Sequence, residues 1–150
     1  MFLPIGLNSA KNKKIKYFYY TPANMSYKRV VLLQLLQDIY PGTPIACGTT
    51  YASIILYNTT EPLVSEAIIS DKYGAYTLAH NLDVLRRERN NRLSASDRYG
   101  LVDYPFPSEA NKQAWLNYRQ NLRNITTVYP QPDTDAEDNL VGIVWPEKPT

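Results

Sequence analysis

Residues 115–127 read WLNYRQNLRNITT, and a little further on residues 144–149 read VWPEKP. Trp115, Tyr118, Leu122 and Ile125 follow one another at spacings of three, four and three. That places them on a single stripe of a helix, repeating much as a coiled-coil seam does. Ser108 has the side chain to cap such a helix at its start, so the element is expected to run from there to about Asn124. Arg119 and Arg123 fall one turn apart beside the stripe, where they can hold a carboxylate, stack on an aromatic ring or grip carbonyls. These residue types admit three readings: a core, a docking face or an active site.

Working outward, LVDYPFP at 101–107 is a proline-broken connector. Before it, Asn81 suits an N-cap, and Leu82 to Ala95 carries Leu82, Leu85, Arg89 and Leu93 on one narrow stripe with Arg86, Arg87 and Arg92 around it. Two helices joined by a short link are expected to fold back as an antiparallel hairpin. In that hairpin Trp115, Tyr118 and Leu122 meet Leu82, Leu85 and Leu93, each buried large side chain contributing about 1.5–3 kcal/mol. Beyond Thr126 the chain is rich in proline and acid until Val141–Pro146, an apolar cluster too short to fold alone. It is expected to lie as an extended strap, with Trp145 and Pro146 covering what the hairpin leaves open.

The first eighty residues have a different texture. After a basic arm, KIKYFYY at 14–20 reads as a strand. A helix is expected from Tyr27 to Tyr40, following Ser26, with Val30, Val31, Leu33, Leu35, Leu36 and Ile39 apolar around more than half its circumference and Pro41-Gly42 ending it. TYASIILYN at 50–58 is strand-like, 63–70 suits either a short helix or a strand, 71–74 (DKYG) reads as a turn, and Tyr76, Leu78 and His80 alternate as a further strand would. The resulting expectation is an α+β chain: a small N-terminal body of a few strands and one helix over 1–80, acting as an attachment domain, then a helical hairpin with its strap over 81–150.

Composition narrows the function classes. The 44% apolar and 20% charged residues are globular proportions, and no apolar run approaches a membrane span. The N-terminus places its apolar residues before its lysines, the reverse of a secretory signal, and Cys47 is the one cysteine, so synthesis in a reducing cytosol fits. Net charge is only +2, but Lys11, Lys13, Lys14, Lys16, Lys28 and Arg29 all precede the first acidic residue, Asp38, whereas Asp133, Asp135, Glu137, Asp138 and Glu147 crowd the far end. The two ends are placed to attract each other or neighbouring copies. Thirteen tyrosines point to half-buried contact area, or to a small core topped up with amphipathic rings.

Candidate chemistry is sparse. The six glycines are scattered rather than gathered into a phosphate loop, and one Cys with one His gives no zinc-ligand spacing. Cys47 and His80 are weighed as a thiolate–imidazole pair against the reading of a buried small hydrophobe and a strand residue. Asp83, Glu88, Asp97 and Asp103 sit among arginines as ion-pair partners. Asn58-Thr59-Thr60 and Asn124-Ile125-Thr126 match a glycosylation pattern that has meaning only with export. Lys13, Lys14, Lys16, Tyr17 and Tyr19 form an N-terminal contact arm; lysines with aromatic faces suit nucleic acid, but the balanced charge and acidic C-terminus oppose it. The expectation is a protein without catalytic residues, metal or cofactor.

With Arg89-Asn90, Leu93, Asp97, Pro105, Trp115, Tyr118-Arg119, Leu122-Arg123, Trp145-Pro146 and Pro149, the last two fifths of the chain resembles the small domain of tailed-bacteriophage proteins described as tail assembly chaperone or tail-fibre-associated proteins. W-x-x-Y-R-x-x-L-R followed by WP-x-x-P carries the likeness. Two positions depart from the pattern: Arg98 stands where a tryptophan often follows the family's aspartate, and Asn124 where an aspartate is common. The resemblance implies a non-enzymatic structural adaptor of a phage virion, at the tail, baseplate, neck or fibre attachment, made in the cytoplasm of a bacterial host and present in multiple copies. Its alternative is a transient tail or tail-fibre assembly chaperone that leaves the particle. In either case Trp115, Tyr118, Arg119, Leu122, Arg123, Trp145 and Pro146 form the hairpin seam or partner-binding set, and the partners are other phage structural proteins.

Overall fold

The computed structural model describes residues 27–150. The expected strand at 14–20 and the contact arm of Lys13, Lys14, Lys16, Tyr17 and Tyr19 lie outside the described residues. Within them the chain is α+β and mostly helical, with four helices and two antiparallel sheets of two strands each.

Helix α1, Arg29–Ile39, buries Val31, Leu32, Leu35 and Leu36. Leu32, which the sequence pattern did not single out, completes the inward stripe, while Val30 stays half exposed. The helix stops where Pro41-Gly42 follows, and Gly42 adopts φ +78°, a conformation that favours glycine. Strand β1, Ile45–Ala46, then pairs with β2, Ile55–Leu56, with Ile45 opposite Leu56 and Ala46 opposite Ile55. The strand expected over 50–58 shrinks to these two residues because Tyr51–Ser53 coils into a 3-10 turn. Ser53 Oγ accepts from Gly48 N at 2.8 Å and donates to Thr50 O at 2.5 Å, offering the backbone a local alternative to the ladder.

The largest departure from the sequence reading is α2, Glu66–Ala95, thirty residues without a break. The turn expected at 71–74, the strand at Tyr76–His80 and the N-cap at Asn81 are all interior to this helix. Ile69, Tyr73, Tyr76, His80 and Val84 recur at spacings of four, three, four and four, a helical stripe that period-two alternation obscured. Ile69 is fully buried, and Tyr73 and Tyr76 pack on the core of α1. A glycine inside a helix costs about 1 kcal/mol relative to alanine, which burial of this stripe outweighs. Gly74 faces open space, so nothing else is asked of it. The division at 80/81 suggested by texture falls inside α2.

The core around α1 gathers Tyr27, Leu32, Leu35, Leu36, Tyr40, Cys47, Ile54 and Ile69. Tyrosines supply much of its wall, each with its hydroxyl satisfied at the rim. Tyr40 Oη donates to Pro62 O and accepts from Val64 N, Tyr51 Oη donates to Val64 O, and Tyr27 Oη lies 3.0 Å from Ser70 Oγ. The rings of Tyr27 and Tyr73 meet edge to face at 4.8 Å.

After a 3-10 turn at Asp97–Gly100 and the connector comes α3, Glu109–Arg123, capped as expected: Ser108 Oγ accepts from Asn111 N. A short α4, Ile125–Val128, follows, with Ile125 buried in continuation of the seam. Strand β3, Asp133–Thr134, pairs antiparallel with β4, Leu140–Val141, and residues 142–150 run on without regular structure. Helix α3 packs on the C-terminal part of α2 and on the 3-10 turn, while α4, β3 and β4 also contact α2.

Candidate functional site

Two constellations lie along α2, one at its C-terminal end around Leu93 and one at its middle around His80 and Asn81. In the first, Trp115, Tyr118 and Leu122 are buried, and Leu93, Tyr99, Phe106 and Trp145 pack against them. Of the three leucines expected to meet the seam, Leu93 does; the other contributors come from the turn, the connector and the strap. Tyr99 stacks on Trp115 at 3.5 Å and 9° between planes, and Trp115 meets Tyr118 edge on at 5.8 Å. Arg98, the residue that departs from the family pattern, lies over Tyr99 at 4.7 Å and donates to its hydroxyl at 2.6 Å. That hydrogen bond holds the Tyr99 hydroxyl below its ordinary pKa.

Arg119 is buried to 8% exposure. Its Nη1 donates to Leu93 O and Ser96 Oγ, each at 2.9 Å, and its Nη2 donates to Asp97 Oδ1 at 2.9 Å. It therefore grips the C-terminal end of α2 and the following carboxylate, rather than the strap. Arg123 is exposed and takes no part in this network. Trp145 is half buried, with the guanidinium of Arg92 4.3 Å from its ring centroid. Arg92 Nε lies 3.0 Å from Glu88 Oε1 but is misaligned for a hydrogen bond, so the stacking is the better-defined of its two contacts. The strap is otherwise tied at Val144 N, which donates to Tyr129 Oη, and at Thr150 O, which accepts from Asn111 Nδ2. Pro146 is half buried and borders two open grooves between the strap and α3, of about 450 and 300 Å³.

The second constellation is polar and joins the two ends of the described chain. Lys28 Nζ donates to Asp135 O at 2.6 Å, to Thr134 O and Asp138 Oδ1 at 3.2 Å, and to Thr134 Oγ1. His80 Nε2 lies 3.0 Å from the same Asp138 oxygen; a carboxylate only accepts, so this nitrogen carries the hydrogen. Asn81 is buried, donating to Pro132 O at 3.1 Å and accepting from Thr134 Oγ1 at 2.8 Å. The hydrogen bond from His80, and after it the one from Lys28, hold the Asp138 carboxyl below the usual carboxylate range. Asp138 has φ +63°, at the corner of the β3–β4 turn.

Lys28 and Asp138 belong to the opposite-charge runs marked in the sequence, and their contact realises the attraction expected between them. The roles of Asn81 and His80 are not legible in the sequence, where both read as non-helical positions. His80 faces Asp138 from within α2, whereas Cys47 is buried in the core around α1, its thiol pKa raised by burial. Three of the four expected carboxylate–arginine pairs form, Asp83 with Arg86, Glu88 with Arg92 and Asp97 with Arg119. Among the described residues no group of three or more His, Cys, Asp or Glu is placed to hold a metal ion, and no helix is long and apolar enough to cross a membrane.

Residues 82–150 match the family model described as phage tail assembly chaperone protein, the family that the Trp115–Pro149 signature resembles. No curated protein and no solved structure matches the chain.

Proposed function

We propose that the chain is a non-enzymatic assembly chaperone for phage tails, which binds tail proteins while they are built and then leaves. The observation that carries this reading is the family match, because it falls on the segment whose buried residues carry the W-x-x-Y-R-x-x-L-R signature. The family's description favours transient chaperoning over the expected role as an adaptor retained at the tail, baseplate, neck or fibre attachment. Trp115, Tyr118 and Leu122 serve as the inner seam of a hairpin made by α3 and the C-terminal half of α2. Contact with a partner then falls to what remains accessible: Arg123, and Trp145 and Pro146 with the exposed Val128 and Val144 beside them. A patch of this kind, apolar with few charges, suits temporary cover of apolar surface on an unassembled subunit.

The test is quantitative mass spectrometry of infected cells and of purified particles carrying a tagged chain. The chaperone reading expects the protein to co-purify with tail subunits from lysate and to be depleted from finished particles. Stoichiometric recovery in particles would establish the adaptor instead. A Val128→Asp, Val144→Asp double variant should keep its fold and lose the tail subunits.

A further inference from the structure

Every side-chain anchor of the polar constellation on the body side precedes the family-matched segment: Lys28, His80 and Asn81 lie before residue 82, while Pro132, Thr134, Asp135 and Asp138 lie within it. We infer that this constellation is a latch by which the N-terminal part of the chain holds the base of the C-terminal strap, and that opening it loosens residues 132–145 on α2 while the core around α1 stays folded. This holds whether or not the tail reading is right.

The β3–β4 turn is built to survive release as a unit. Asp135 Oδ1 accepts from Glu137 N and Asn139 N at 3.0 and 2.8 Å, and Asp135 N donates to Asn139 O at 2.9 Å. These bonds close the turn on itself without help from the body. Its polar attachment, by contrast, converges on three side chains, and the Lys28 ammonium alone brings its three N–H groups within reach of four acceptor oxygens. Lys28 directly precedes α1 and its own amide donates to Tyr73 Oη, so the latch draws α1, α2 and the strap to one point. The ionisable groups facing that point are Lys28, His80, Asp138, Tyr73 and Asp135, the last with its carboxylate occupied by the turn. Further along, the strap is held by two hydrogen bonds, the Arg92–Trp145 stack and the packing of Trp145 on the cluster around Trp115, with open grooves between it and α3. Loss of the base therefore leaves Trp145 as the principal remaining anchor of the strap.

The experiment is amide hydrogen exchange on the full chain, comparing the parent with Lys28→Met and Asp138→Asn. Asparagine tolerates the left-handed backbone at 138, so the second variant removes charge without straining the turn. Arg86→Gln, which breaks an exposed ion pair elsewhere on α2, is the control. The latch predicts exchange about tenfold faster over residues 133–145 in both variants, with α1 and residues 66–76 unchanged and the control like the parent. Unchanged exchange over 133–145 in Asp138→Asn overturns it. Equal acceleration in α1 and the strap overturns it too, since the contacts would then belong to one cooperative unit.

Discussion

Trp115 is where the energetics of the C-terminal half concentrate. It is 2% exposed and stacked on Tyr99, so Trp115→Ala removes a filled volume and a ring contact together, and is expected to destabilise by about 3–5 kcal/mol. Chemical denaturation followed by circular dichroism checks this. Arg119→Ala leaves Leu93 O and Ser96 Oγ without their charged donor, at a cost of about 2–3 kcal/mol. Asp97→Asn should change little, because that carboxylate is 66% exposed and such pairs contribute about 0–1 kcal/mol. A larger effect of Asp97→Asn than of Arg119→Ala would place the network's strength in the ion pair instead of the buried carbonyl contacts. At this scale the sequence was informative: spacing alone picked out Trp115, Tyr118, Leu122 and Ile125. It failed for Tyr99 and Phe106, because residues in an irregular connector have no period to betray their direction.

Among the elements, α1 and α3 were legible because each carries its own stripe and its own stop or cap, Pro41-Gly42 for the one and Ser108 for the other. Helix α2 was legible from Leu82 to Ala95 only; in its N-terminal half the period-two alternation of Tyr76, Leu78 and His80 obscures the Ile69–Val84 stripe, and Gly74 imitates a turn. The helix makes a definite prediction. Gly74→Ala should stabilise the protein by about 0.4–1 kcal/mol in thermal denaturation, because the site is open and helical; a loss of stability would point to a turn at 71–74 instead. The β3–β4 turn makes another. The Asp138 carboxyl has its pKa lowered on folding, so the stability it adds is present above the ordinary carboxylate value of about 4 and is lost as pH falls through its folded value. Tryptophan fluorescence of the parent should therefore show an acid transition near or below that pH, and Asp138→Asn should lack its share of it. The opposed charge runs were visible in the sequence; which lysine meets which aspartate was not, because that depends on α2 bringing His80 and Asn81 to the same place.

For the molecule as a whole, one long helix serves two cores: its first turns complete the core around α1, and its last turns, with the 3-10 turn that follows, support the cluster around Trp115. The C-terminal strap lies across the second core and is fastened to the first. Removing Leu140 to Thr150 takes away β4 and the half-buried Trp145, which at about 1–2 kcal/mol corresponds to roughly 2–8 °C in melting temperature for a chain of this size. It also uncovers the apolar cluster. The truncated chain is therefore expected to melt several degrees lower than the full chain and to aggregate on concentration, as followed by calorimetry and light scattering. A truncated chain with the same melting temperature and solubility would contradict it.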